Sequence, residues 1–334
     1  MITTFPLNLY LGSLVGAFLA SLLTLPLWRR WSLRVGLVDD PGSRKIHSEP
    51  IPLAGGLAVM TGFLLPLLLG AALLLFAGHE ARIPGLDGTD LAKLDYGFGA
   101  RRVQLGAVLL GLVGMLVLGW LDDLHELRPL PKFAGQFLIA TLIAAAGVRI
   151  TLFVPSVVFS YVVTVLWIVG LTNALNFLDN MNGLCAGIGS IAAGFFAIAA
   201  ARHGQYLVGA LALLGCGALL GFLPWNYPRA SCFLGDSGSH VTGFLLAVLA
   251  ILPSFYSSQR PHALAVLGPL LVLVVPLADL ASVVWIRIRL RRPPWVGDNN
   301  HFSHRLVRAG LSRSGAVALL WVAGLVGGIA ALAL

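Results

Sequence analysis

Two adjacent carboxylates, Asp122 and Asp123, stand in the segment Trp120-Leu-Asp-Asp-Leu-His-Glu-Leu-Arg-Pro-Leu-Pro-Lys132. Like charges this close repel, so one carboxyl holds its proton more tightly unless a cation compensates. A divalent metal supplies that compensation, and a carboxyl so shifted can serve as a general base. Asn173, Asn176 and Asp179 follow at i, i+3, i+6 spacing, which places them on one face of a helix. Their amides suit hydroxyl or base-edge recognition, and Asp179 suits a metal or a proton. Gly235-Asp-Ser-Gly-Ser239 then opens another apolar run. Small residues there leave backbone N–H groups accessible to phosphate at a helix start, and Asp236 can hold Mg2+ against it. His301, His304 and Arg305 recur at i, i+3, i+4. The Glu of a zinc HExxH helix is missing and the histidine spacing is wrong for it; Arg at that position fits an anion better. Arg44, Lys45 and His47 place donors on a segment that Pro41, Pro50 and Pro52 keep from forming a continuous helix.

Each motif has a structural alternative. The acid pair can be solvation of a helix end, the asparagines can bond between helices, and Asp236 can be an N-cap. The run Arg287 to Arg292 can be a lipid-surface element. Asp279 lies three residues after Pro276 in an apolar stretch. It is either a functional acid or the partner of a polar group on another span.

The elements that must position these residues are membrane helices. The chain has 334 residues, 58% hydrophobic and 11% charged, with a mean hydropathy of +0.89. Soluble domains carry about 25% charged residues, so a water-soluble enzyme, a disordered chain and a collagen-like chain are excluded. Apolar stretches recur near 8–28, 54–76, 104–121, 132–148, 152–170, 183–201, 205–224, 239–255, 263–284 and 314–333. Ten spans of about 20 residues leave no room for a sizeable soluble domain. Alternating strands of a β-barrel are missing. The first stretch lacks a basic leader and a clear cleavage site, so a retained span is expected. The reading is an all-α bundle of about ten transmembrane helices forming one polytopic domain over 1–334.

Ten spans place 29–53, 122–131, 171–182, 225–238 and 285–313 on one side. Most of the 22 Lys and Arg fall there, which makes that side cytoplasmic and puts both termini on the other. Asp39, Asp40, Glu49, Asp122, Asp123, Glu126, Asp179, Asp236, Asp279 and Asp298 are also on or just inside it. Acids mixed with bases on one face suggest a site for a metal and a phosphorylated substrate. Basic residues beside spans set topology and touch anionic lipid, so no nucleic-acid partner is expected. Cys185, Cys216 and Cys232 show no CxxC pairing and read as buried small apolar residues. Gly217-Ala-Leu-Leu-Gly221 and Gly324-Leu-Val-Gly-Gly328 read as helix-packing motifs.

Five such segments in order, from about Gly36 to Arg313, resemble the polyprenyl-phosphate sugar-1-phosphate transferases. The carrying residues are Asp40-Pro41 with Arg44 to His47, Asp122-Asp123, Asn173 to Gly183, Gly235 to Ser239 and His301 to Arg305. The Arg-Lys-x-His loop and His-Phe-Ser-His-Arg look like the N-acetylglucosamine-type branch rather than the muramoyl-pentapeptide branch. One departure is Asn182, where the family often has Asp.

The resemblance implies transfer of an N-acetylhexosamine-1-phosphate from a UDP-sugar to undecaprenyl or another polyprenyl phosphate, with release of UMP, at the bacterial inner membrane, in a groove between spans that opens at the cytoplasmic face. It implies Mg2+, with Mn2+ as an alternative, and admits a homodimer. It assigns Asp236 to the metal and Asp122 or Asp123 to positioning or deprotonating the lipid phosphate. Asp179 and Asn176 would bind metal or nucleotide, with Asn173 on the same face. His301, His304 and Arg305 would hold the pyrophosphate, and Lys45, His47 and Lys132 would add phosphate contacts. An intramembrane prenyltransferase would need a second Asp-rich motif, and Asp179-Asn-Met-Asn182 is a poor one. A transporter predicts mid-membrane acids and inverted repeats; only Asp279 is deep and no repeat is visible.

Overall fold

The computed structural model describes residues 5–40, 49–77, 88–152, 154–253, 266–293 and 298–334. Twelve helices and one two-stranded hairpin appear among them. In order they are α1 (Leu7–Val35), β1 (Val38–Asp39), β2 (Ile51–Pro52), α2 (Gly55–Ala77), α3 (Gly88–His125) and α4 (Pro129–Ala145). There follow α5 (Val157–Leu178), α6 (Leu184–Arg202), α7 (Tyr206–Asn226), α8 (Gly235–Leu249) and α9 (Gly268–Val272). The last are α10 (Val274–Arg289), α11 (Phe302–Arg308) and α12 (Arg313–Ala333). The protein is an all-α membrane protein. Helices α1, α2, α3, α5, α6, α7 and α12 are long and apolar enough to cross a membrane. Leucines such as Leu23, Leu69, Leu110 and Leu138 are exposed on the outer surface, as lipid-facing side chains would be.

The other apolar stretches are shorter helices. Helix α4 has 17 residues and α8 has 15. The stretch at 263–284 is broken into α9 and α10 at Leu273. Pro276 explains the break: it lacks an N–H, and its ring clashes with the carbonyl four residues earlier, at Val272.

Helix ends also run further than apolarity alone predicts. Helix α5 continues to Leu178, so Asn173 and Asn176 are helical rather than in a loop. Helix α3 carries Asp122 and Asp123 in its last turn. Helix α10 extends to Arg289. Polar residues end an apolar run without ending the hydrogen-bonded backbone, because buried N–H and C=O groups still need partners.

Helix α8 is the centre of the bundle. Every residue of it except Asp236 is buried, and α3, α5, α2 and α6 pack around it. Gly119 permits the close approach of α3 to the start of α8. A Cβ there would lie 2.4 Å from the Asp236 carbonyl oxygen. The two GxxxG motifs pack as expected: Gly217 and Gly221 face the Leu14 and Phe18 carbonyls of α1, and Gly324 and Gly328 face Ile188 and Phe195 of α6. All three cysteines are free and buried.

The polar ends meet at one end of the bundle. The hairpin of β1 and β2 is joined to the α7–α8 connection by the Leu53–Phe233 bridge and by Phe233 N–H donating to the Pro52 carbonyl at 3.0 Å. Gly55 N–H donates to the Phe233 carbonyl at 2.9 Å, which ties the start of α2 to the same connection.

Substituting Gly119→Ala should lower thermal stability, with a cost of about 1–3 kcal/mol from overpacking against backbone that cannot swing aside. Unfolding followed by intrinsic fluorescence in detergent would measure it. Gly106→Ala, where nothing lies within 4 Å, serves as the silent control.

Candidate active site

The site begins with how α3 holds α8. Asp123 Oδ1 accepts the Asp236 N–H at 2.7 Å, and Asp123 Oδ2 accepts the Ser237 N–H at 3.0 Å. A carboxylate at a helix N-terminus satisfies orphan donors and opposes the positive end of the helix dipole. Here that carboxylate comes from another helix, 113 residues away in sequence for the first bond. Gly235 makes the fit possible: its φ is 73°, and a Cβ on it would lie 2.8 Å from Asp123 Oδ2. The expectation of free N–H groups at this helix start is therefore corrected. The N–H groups of residues 236 and 237 already serve Asp123. Asp236 is not the N-cap either; that position is Leu234, which frees the Asp236 carboxylate.

Asp122 points elsewhere. Its Oδ2 pairs with the Lys132 ammonium, and its Oδ1 accepts the Leu127 N–H at 2.8 Å. Lys132 Nζ also reaches Asp236 Oδ2 at 3.3 Å and Asn176 Oδ1 at 3.4 Å. Asn176 Nδ2 donates to Asp236 Oδ1 and, at 3.0 Å, to Ser239 Oγ. Helices α3, α4, α5 and α8 thus each contribute to one cluster. The neighbouring acids avoid mutual repulsion by using separate partners, an ammonium for Asp122 and a helix terminus for Asp123. Asp122 and Lys132 are mostly shielded, so removing one partner of that pair leaves a largely buried charge bare and costs stability.

One turn deeper lies a second polar layer. Asn173 Nδ2 donates to Gln136 Oε1 at 2.6 Å and to the Val169 carbonyl at 2.8 Å. Asn173 is thus bonded within the protein, below Asn176 on α5, rather than turned to the cluster's open side. Gln136 is fully buried and lies one turn after Lys132 on α4. His240 Nδ1 contacts the Asp236 carbonyl at 2.5 Å, and its Nε2 is buried without a partner.

Asp179 caps the end of α5, its N–H bonded to the Leu175 and Asn176 carbonyls. Burial pushes its carboxyl up to about 8, helped by the negative charges of Asp236 and Asp123. Asn182, the departure from the family pattern, donates to the Pro228 carbonyl at 3.2 Å. Its amide ties two loops together.

The C-terminal motif docks on the same side. His301 is the N-cap of α11, not a residue within it. Its Nδ1 lies 2.6 Å from Asp279 Oδ2, and its ring meets Phe177 edge-on at 5.9 Å. Ser303 Oγ donates to Asn180 Oδ1 at 2.6 Å, joining α11 to the turn that carries Asp179. The three expected phosphate ligands have different surroundings. His301 is buried and Arg305 is exposed, with Nη1 donating to Ser282 Oγ at 3.1 Å. Burial holds His304 below the usual imidazole range, reinforced by His301, Arg308 and Arg313. Lys45 and His47 lie outside the described residues.

The donor set is hard oxygen: the carboxylates of Asp122, Asp236 and Asp179 and the amide of Asn176. Among the described residues no group of three or more His, Cys, Asp or Glu side chains forms a ready metal cage. Such a set fits Mg2+, which keeps several waters and is held by one or two carboxylates together with substrate phosphates. The Lys132 ammonium occupies the middle of the cluster and can itself contact phosphate.

Comparison with known proteins bears directly on this cluster. The profile of glycosyl transferase family 4 matches residues 105–254, which span Asp122 to Ser239. A probable undecaprenyl-phosphate N-acetylglucosaminyl 1-phosphate transferase of Bacillus subtilis (strain 168) is 32% identical over 96% of this chain and 85% of its own length. The chain belongs to this family of polyprenyl-phosphate sugar-phosphate transferases. A decaprenyl-phosphate N-acetylglucosaminephosphotransferase of Mycobacterium tuberculosis (strain ATCC 25618 / H37Rv) is 33% identical over 94% of this chain and 80% of its length. A phospho-N-acetylmuramoyl-pentapeptide-transferase of Lacticaseibacillus paracasei is 36% identical, over only 54% of this chain and 59% of its own.

Spacing singles out neither Gln136 nor His240, whereas Ser239, Asn180 and Ser303 lie inside motifs that it does single out. One signal was present: Gln136 is a polar side chain one turn after Lys132 in an otherwise apolar stretch.

Two outcomes follow. Asp123→Ala should lower stability by about 1–2 kcal/mol through the lost helix cap, and should disturb Asp236 with it; thermal unfolding against Asp123→Asn, which keeps one acceptor, tests this. Asp179 carries the opposite sign. Its pKa is above the unfolded value of about 3.9, so ionising it costs stability progressively from pH 4 to beyond pH 8. Asp179→Asn should therefore unfold at a higher temperature than the parent at pH 8 without divalent metal, with the gap closing towards pH 4.

Proposed function

We propose that this transferase moves N-acetylglucosamine-1-phosphate from UDP-N-acetylglucosamine to a polyprenyl phosphate, releasing UMP and starting a lipid-linked envelope glycan. We place the reaction at the cytoplasmic face of the bacterial plasma membrane. The observation that carries the reading is the meeting of Asp122, Lys132, Asn176 and Asp236 from four helices at one end of an apolar bundle. The names of the relatives support N-acetylglucosamine as the sugar and a polyprenyl phosphate as the acceptor.

A long isoprenoid must stay in hydrocarbon while its phosphate meets a water-soluble donor. A polar cluster at the end of membrane helices meets both demands. An oxygen of the lipid phosphate attacks the sugar-bearing phosphorus. The bond from that phosphorus to the bridging oxygen breaks, and UMP leaves with that oxygen and its electron pair. A phosphate monoester has a second pKa of about 6, so its attacking oxygen is largely deprotonated at pH 7. The protein's task is then positioning and charge neutralisation.

Lys132 supplies a positive charge to the phosphates, held in place by Asp122. Asp236, with Asp179, would hold Mg2+, whose chemistry there is to offset charge on the diphosphate and the departing UMP. Asn176 orients the Asp236 carboxylate. Asp123 keeps Asp236 and Ser237 in register by holding their N–H groups. His301 offers a ring nitrogen to the diphosphate.

Purified protein with undecaprenyl phosphate, UDP-N-acetylglucosamine and Mg2+ should release UMP. Asp236→Ala and Lys132→Ala should each lower the rate by at least about a hundredfold. Release of inorganic pyrophosphate instead, or no UMP from folded wild-type protein with any UDP-N-acetylhexosamine, would sink the reading.

A further inference from the structure

Asp279 is a buried acid of the polar end, and the reaction above gives it no task. It is 1% exposed, on α10, one turn past Pro276. Both of its oxygens are engaged by one short segment. Oδ2 lies 2.6 Å from His301 Nδ1, and Oδ1 accepts the Phe302 N–H at 2.7 Å. A carboxylate can only accept, so the proton of this bond sits on Nδ1. The ring's other nitrogen, Nε2, forms no bond with a described residue and is not sealed from solvent.

The same helix holds the segment a second time. Arg287, two turns after Asp279 and also 1% exposed, donates from Nε to Asp298 Oδ2 at 2.8 Å. Its guanidinium lies 5.0 Å from the centre of the Phe177 ring, the ring that His301 meets edge-on. Phe177 is the neighbour of Asn176, which bonds Asp236. Helix α10 therefore grips the chain at residues 298 and 301–302, and the ring of Phe177 packs against that grip.

We propose that Asp279 is a positioning residue: it fixes the proton of His301 on Nδ1 and so leaves Nε2 to face the substrate. In the neutral ring Nε2 is then an acceptor; in the imidazolium it is a donor, and Nδ1 keeps its proton in both. Such partners of a functional histidine set its tautomer and ring orientation. The proposal rests on the transfer reaction described above for its kinetic consequence, but not for its tautomer. Asp279→Asn keeps the shape and removes one acceptor. Its single oxygen cannot serve both the Phe302 N–H and the His301 Nδ1–H. With the oxygen on Phe302, the amide N–H faces Nδ1 and drives the proton to Nε2.

The experiment has two readouts on full-length protein in nanodiscs. The first is the 15N spectrum of histidine-labelled protein, assigned by difference against His301→Gln. Wild type should show a protonated Nδ1, and Asp279→Asn a neutral ring with its proton on Nε2. An Nε2-protonated neutral ring in wild type would overturn the proposal, whatever the enzyme's substrate. The second is UMP release. Asp279→Asn should lower kcat on the order of tenfold to a hundredfold with little change in KM, and Asp279→Glu should restore part of it. In a His301→Ala background, Asp279→Asn should change the rate less than twofold, because the two residues act as one unit.

Full activity of Asp279→Asn, or an equal loss in the His301→Ala background, would overturn the inference. If Asp279→Asn fails to fold, Asp279→Glu enters the same cycle. Failure of both to fold assigns Asp279 to stability alone and also overturns it. A wild type that releases no UMP refutes the transfer reaction instead, and the 15N spectrum still decides the tautomer.

Discussion

A carboxylate brought to the end of an apolar bundle must find positive charge or donors, and the polar end of this protein is arranged around that demand. Asp122, Asp123, Asp236 and Asp279 all sit at helix ends or inside helices that pack against one another. None can rely on bulk water alone. Each has a different answer: an ammonium, a helix terminus, an ammonium shared with an amide, and an imidazole with a backbone N–H. These solutions cross from helix to helix, so the charges fix the relative placement of α3, α4, α5, α8 and α10. Packing supplies the bulk of the cohesion, but these bonds choose the register.

The bond from α3 to the start of α8 has a further consequence. By giving both oxygens to backbone N–H groups, Asp123 leaves Asp236 free to face Lys132 and Asn176. A side chain at Gly235 would collide with Asp123, and one at Gly119 would push α3 off α8. Small residues at the polar end thus have the same use as in the GxxxG contacts of α1 with α7. They let backbones approach where hydrocarbon provides no other driving force. Chemistry and packing share the same glycines.

A division of labour between rigid and mobile charge also emerges. Asp123, Asp279 and Arg287 are spent inside the protein. Asp236 and Lys132 hold each other weakly enough, at 3.3 Å, for a phosphate or a divalent cation to compete. Burial and the charges of Asp236 and Asp123 push the Asp179 carboxyl up to about 8, so a cation bound there must displace a proton. Asn182, an amide where relatives of this kind often carry an acid, makes a loop contact instead.

The sequence by itself determined the class of protein. Charged content and apolar periodicity require membrane helices, and the order of five polar segments carries the family. The GxxxG motifs and buried cysteines were also legible, because small residues in apolar runs have few other uses. Only the tertiary structure decided which acid meets which partner. Asp122 and Asp123 are neighbours in the chain and look alike, yet consecutive helical residues point about 100° apart, and so they meet different helices. Local spacing placed His301, His304 and Arg305 on one face, whereas α11 starts only after His301 and Arg305 turns to Ser282. Periodicity reports what one helix presents. The bonds that build this site join residues 44, 104 and 113 positions apart, and such pairings exist only once the helices have packed.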